Sequence, residues 1–127
     1  TSVGWPSSGE IDIMEMIGGQ NSTTLGTAHW YNGGHNYTGG NTSLSSGEFA
    51  DEFHVFSIIW EANSIAWYLD GDTQPFYVLN TSPSVMSEFR ENFFFLFNIA
   101  IGGTLGGNVD NSNLPQTMVV DYIRVFQ

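Results

Sequence analysis

Glu10-Ile11-Asp12-Ile13-Met14-Glu15 sets three acids among three apolar residues within six positions. Side chains on a strand alternate faces, so Glu10 and Asp12 share one face while Ile11 and Ile13 share the other. In a regular strand Glu15 would fall on the apolar side. A one-residue bulge near Ile13-Met14 returns it to the acidic face. The pattern therefore predicts a bulged strand over Glu10–Met16, acidic in front and hydrophobic behind. Like charges this dense on one face destabilise a sheet. Such a strand is either solvent-facing, a calcium site, or retained for chemistry.

The remainder of the chain fits a sheet protein. Short apolar segments alternate with Gly, Asn and Ser turns, and the predicted strands are Thr24–Tyr31, His54–Trp60, Ser64–Asp70, Phe76–Leu79, Phe93–Ala100 and Met118–Phe126. Asp70-Gly71 is a tight-turn signal. Gly33-Gly34 and Gly39-Gly40 bracket a loop or short strand. Ser84–Asn92 reads as a short helix after Pro83, and Asn108–Gln116, which carries Pro115, as a surface loop. Phe93–Ala100 is almost continuously apolar, which suits a strand buried on both faces or facing a ligand cleft. Asn98, its one polar residue, either bonds backbone or lines that cleft. Arranged in one layer, these strands would leave long exposed edges and an uncovered apolar face.

Charge narrows the partners. The chain has 13 acidic and 2 basic residues, a formal net charge of −11. Phosphate backbones need clustered cations, so nucleic acid is excluded and polyanionic glycans are disfavoured. A neutral polysaccharide is compatible. No apolar run is long enough to span a membrane. Cysteine is absent, so there is no disulfide framework and no thiolate metal site. The three His are too scattered in sequence to propose zinc. His35 and His54 read as surface residues.

Paired carboxylates on one sheet face suit glycoside hydrolysis. A retaining hydrolase needs one carboxylate as nucleophile and one carboxylic acid as proton donor, about 5–5.5 Å apart across the scissile bond. Two Glu side chains on one strand face can lean together to that separation. Asp12 between them can share a proton with Glu10 and so keep the carboxyl pKa values apart. Trp5, in a Gly/Pro/Ser turn, suits stacking on the CH face of a sugar ring. His29-Trp30 closes the next strand. Trp60 and Trp67 sit among apolar residues; Trp60 reads as core, and Trp67 reads equally as core or as a sugar-facing ring.

Gly4-Trp5-Pro6-Ser7-Ser8-Gly9-Glu10-Ile11-Asp12-Ile13-Met14-Glu15 resembles the signature of glycoside hydrolase family 16, in the bulged form shared by laminarinases and agarases. Gly26-Thr27-Ala28-His29-Trp30, Phe56–Tyr68 with Leu69-Asp70-Gly71, Phe97–Gly103 and Asp121–Phe126 resemble later family segments, in family order. The resemblance implies an all-β fold, an antiparallel β-sandwich jelly roll of the concanavalin A-like kind. It implies that residues 1–127 are one catalytic-domain segment, the C-terminal half, with the N-terminal half absent. Carried over residue by residue, Glu10 is the nucleophile, Asp12 the assisting carboxylate and Glu15 the acid/base. Trp5, His29, Trp30 and Asn98 would contact substrate. Asp121 would be the side-chain ligand of a structural calcium; catalysis itself would need no cofactor. The implied activity is retaining endo-hydrolysis of β-1,3-glucan by a secreted protein. The alternatives are another neutral or marine polysaccharide, mixed-linkage glucan, or a non-catalytic carbohydrate-binding jelly roll or inactive half-domain. Thr104-Leu105-Gly106-Gly107 stands where laminarinases often carry a Trp, which leaves the linkage open. The implied partner is a second copy or the absent segment.

Overall fold

A computed structural model describes residues 3–127, apart from the Asn113 side chain. The chain divides into two compact units, Thr1–Phe93 and Phe94–Gln127. The first holds six strands: β1 (Glu10–Glu15), β2 (Thr23–Tyr31), β3 (His35–Ser43), β4 (Phe56–Glu61), β5 (Ser64–Leu69) and β6 (Tyr77–Asn80). They form two antiparallel three-stranded sheets, ordered β1-β2-β3 and β4-β5-β6. The strands lie in two layers that share a core, as the implied β-sandwich requires, and not in the single layer that would leave an apolar face uncovered. Each sheet has one apolar face, and placing the two together removes both from water.

That core holds Ala28 and Trp30 from β2, Ile65 and Trp67 from β5, Leu79 from β6, and Phe89. Trp67 is fully buried. The sheets approach closely because glycine lies opposite the largest rings. A Cβ on Gly26 would come within 2.3 Å of the Trp67 ring, and one on Gly40 within 2.8 Å of Tyr77. The Tyr77 hydroxyl and Thr38 Oγ1 share a hydrogen bond of 2.7 Å.

The connections follow turn chemistry. Asp70 (φ 50°) and Gly71 (φ 75°) both take left-handed backbone, and Asp72 N–H donates to the Leu69 carbonyl at 2.9 Å, closing the tight turn predicted there. The Asp70 carboxylate then accepts from Val55 N–H at 2.8 Å and lies 2.7 Å from His54 Nδ1. His54 is thus not a surface residue: its side chain is only 7% exposed. The short helix expected within Ser84–Asn92 is a 3-10 turn, Ser87–Arg90, pinned by buried Phe89. Arg90 donates to the Met86 carbonyl at 2.9 Å and to Asn63 Oδ1 at 3.1 Å.

The second unit is irregular. It contains one helical turn, α1 (Gly103–Gly106), and a 3-10 turn, Asn111–Asn113, where Asp110 accepts from Ser112 N–H at 2.9 Å. This 3-10 turn lies in the loop predicted over Asn108–Gln116. The strands expected over Phe93–Ala100 and Met118–Phe126 do not form. A strand exists only by pairing its N–H and C=O groups with a neighbour. Neither segment has a paired strand among the described residues. Asn98, expected in a buried cleft strand, is exposed on an irregular segment instead. None of the described helices is long and apolar enough to cross a membrane.

Candidate active site

The β1–β2 register explains how three acids come to share a face. Glu10 pairs with His29 and Asp12 with Thr27, then Glu15 pairs with Leu25. Three residue steps on β1 therefore match two on β2. The extra residue is a bulge between Asp12 and Glu15, where the alternation of the sequence required one. Glu10, Asp12 and Glu15 face the same way, opposite to Ile11, which packs against the core.

A bulge leaves backbone groups without their usual ladder partners. Here the Asp12 carbonyl accepts a hydrogen bond from Trp67 Nε1–H at 2.9 Å. The second sheet thus anchors the bulge from behind, through a residue that also fills the core.

The approach to β1 is equally constrained. Gly9 has φ +69°, and a Cβ there would sit 2.9 Å from both Glu88 Cβ and the Phe93 ring. Only glycine lets the chain pass at this point. The preceding turn holds Trp5 56% exposed, with its indole N–H donating to Glu10 Oε2. One face of the site thus carries an exposed indole directly beside a carboxylate.

His29 joins the same face. Its Nε2 lies 3.2 Å from Asp12 Oδ2, although Asp12 Oδ2 is buried and not aligned with any donor for a hydrogen bond. His29 Nδ1 is 2.9 Å from His35 Nε2. His35 was expected at the surface; it is exposed, but it belongs to β3 and packs at the site. Its ring lies 4.5 Å from that of Trp5. Tyr37, directly across from His29 in the β2–β3 register, stacks with it at 5.6 Å. Sequence reasoning missed His35 and Tyr37. The available signal was the Asn32-Gly33-Gly34 turn, which sets Tyr31 opposite His35 and His29 opposite Tyr37.

Trp30 does not belong to this face. It alternates away from His29, is 8% exposed, and meets Phe89 edge-on in the core. A substrate contact at Trp30 is therefore corrected: its parity on β2 is that of the core. Trp67 is likewise core, whereas Trp60 is 38% exposed, with its indole N–H on the Phe89 carbonyl at 3.0 Å.

Electrostatics single out Asp12. Burial, then the charges of Glu10 and Glu15, then a hydrogen bond with the Glu10 side chain push its carboxyl up to about 8. At neutral pH Asp12 is therefore chiefly protonated. The His29 imidazole is held below its ordinary value, first by burial and partly by His35, against the opposing pull of Glu10 and Glu15. Asp12 and His29 therefore meet as neutral groups at pH 7. The arrangement presents one carboxyl stripe, a proton held within it, and an exposed aromatic plane.

Asp121 lies in the second unit and is exposed. Among the described residues no three His, Cys, Asp or Glu side chains gather to hold a metal ion. The residues present do not by themselves fit a calcium at Asp121.

The chain is similar to known proteins over nearly its whole length. The model of glycosyl hydrolases family 16 matches residues 1–124. Glucan endo-1,3-beta-glucosidase A1 of Niallia circulans is 37% identical over 97% of this chain and 20% of its own length. Beta-glucanase of Rhodothermus marinus is 34% identical over 97% of this chain and 46% of its own. The solved structure of LamAcat from Zobellia galactanivorans has a TM-score of 0.72 and 32% identity, covering 85% of this chain and 42% of that one. The chain thus spans less than half the length of each relative. With the signature, the two antiparallel sheets and a family match over nearly every residue in hand, the chain belongs to glycosyl hydrolases family 16.

Proposed function

We propose that this chain carries the catalytic strand of a retaining endo-β-1,3-glucan hydrolase. The observation that carries the reading is the bulge between Asp12 and Glu15, which sets Glu10, Asp12 and Glu15 on one face. In this reading Glu10 attacks the anomeric carbon while Glu15 gives its proton to the departing glycosidic oxygen. Glu15 then takes a proton from water, which attacks the same carbon and releases Glu10. Asp12, protonated at neutral pH, keeps a second full charge away from the nucleophile and holds it by a hydrogen bond. Trp5 provides a flat apolar surface for a pyranose ring beside Glu10. His29 contacts the substrate side of the cluster.

The glucan assignment is supported by relatives with glucanase names, and by a form of the Zobellia protein solved in complex with laminaritriose and laminaritetraose. Net charge of −11 also favours a neutral polymer. The proposal extends to secretion, since a polysaccharide substrate lies outside the cell. It also assigns Asp121 as one ligand of a structural calcium whose other ligands come from outside this chain.

The test is reducing-sugar release by the full protein from laminarin, beside lichenan and agarose, with Glu10→Ser and Glu15→Ser. Laminarin is expected to be the preferred substrate, the first sugar released is expected to have the β-anomeric configuration, and each substitution is expected to lower kcat by roughly 10²–10⁴-fold. An α-anomeric first product refutes retention. Preference for agarose refutes the glucan assignment.

A further inference from the structure

His35 is assigned no role by the catalytic reading, yet it touches both arms of the carboxylate cluster. One arm is Trp5, whose indole bonds Glu10 and whose ring lies 4.5 Å from that of His35. The other is His29, which lies 3.2 Å from Asp12 Oδ2 through Nε2 and 2.9 Å from His35 Nε2 through Nδ1. Two imidazole nitrogens in hydrogen-bond contact place one proton between them, so the tautomer of one ring dictates the role of the other. Asp12 Oδ2 lies 3.2 Å from His29 Nε2 and is buried without a hydrogen-bond partner, so a carboxyl oxygen faces Nε2 with a lone pair to offer. The tautomer that suits this lone pair carries the proton on His29 Nε2. His29 Nδ1 is then an acceptor, and only His35 Nε2–H stands against it.

We infer that His35 is a positioning residue, which fixes the tautomer of His29 and steadies Trp5, and so holds Glu10 and Asp12 in one arrangement. The inference rests on the catalytic reading above for its kinetic consequence and is independent of it for the tautomer. The ionisable groups that face His29 are Glu10, Asp12 and Glu15 from β1 and His35 and Tyr37 from β3. The ring of His35 also packs at a tilt against Tyr37, 5.6 Å between centroids, which leaves it little freedom to turn away.

The experiment compares the full protein with His35→Ala and His35→Gln. Glutamine returns an N–H donor near the position of Nε2; alanine does not. Nitrogen NMR of the imidazoles at neutral pH is expected to find His29 protonated on Nε2 in the parent and in His35→Gln, and a mixture of tautomers in His35→Ala. With laminarin, His35→Ala is expected to lower kcat about tenfold with KM little changed, the scale of one lost hydrogen bond, and His35→Gln to recover most of it. A His29 tautomer indifferent to both substitutions overturns the inference whether or not laminarin is hydrolysed. A change in KM alone overturns it too, because His35 would then be a sugar contact. An inactive parent with a His35-dependent tautomer refutes the catalytic reading and leaves the positioning role standing.

Discussion

Three carboxyl groups on one sheet face repel one another, and in this chain the repulsion is met at Asp12, which lies between the other two and is the most enclosed by them. Its carboxyl is raised from 3.8 to about 8 by burial and by the charges of Glu10 and Glu15. The sign of the linked stability follows. Between those two values the folded chain keeps a proton that the unfolded chain has released, so Asp12 costs the fold more stability as pH rises through that window. Asp12→Asn carries no such proton. The variant is expected to gain stability over the parent progressively from about pH 4 to pH 8, as measured by denaturant midpoints at each pH. A gap between the two proteins that stays constant with pH would contradict the protonated Asp12.

At the scale of elements, the bulge in β1 depends on a residue in the other sheet. Trp67 Nε1–H donates to the Asp12 carbonyl at 2.9 Å, at the residue where the bulge begins. Trp67→Phe keeps most of the ring volume and removes the donor. It is expected to destabilise the fold by about 1–3 kcal/mol, the cost of a buried carbonyl without a partner, and to lower activity, because the bulge sets the direction of Glu15. Thermal unfolding and kcat are the readouts; unchanged values for both would show that the bulge holds itself. The bulge was legible in the sequence, since the acids at 10, 12 and 15 cannot share a face without it. So were β1, β2, β4, β5 and β6 to within two residues, and the Asp70-Gly71 turn. Less was legible where parity alone decided the matter. Trp30 sits beside His29 in sequence and opposite to it in space. His35 and Tyr37 were hidden because Gly39 and Gly40 dilute the strand pattern of β3. Phe93–Ala100 and Met118–Phe126 have strand composition, but composition does not supply a neighbour to pair with.

The whole molecule shows the same dependence. Phe94, Phe95, Leu96, Phe97, Val125 and Phe126 are all at least half exposed, an unusual amount of apolar surface for an isolated chain. The chain covers less than half the length of the relatives compared. We propose that this surface is covered by protein, supplied by further family-domain residues or by a second copy. The 127-residue chain alone is accordingly expected to self-associate at micromolar concentration and to bind a hydrophobic dye, by analytical ultracentrifugation and fluorescence. A monomer that excludes the dye would contradict the proposal.

The central claim is that Glu10 forms a covalent bond to the sugar. The direct measurement is mass spectrometry of the full protein after reaction with a laminaribiosyl fluoride carrying fluorine at C2 of the reacting glucose, followed by proteolysis. The account predicts one added disaccharide, on the peptide containing Glu10, and none in Glu10→Ser. A label on Glu15, or on a peptide lacking β1, would contradict it.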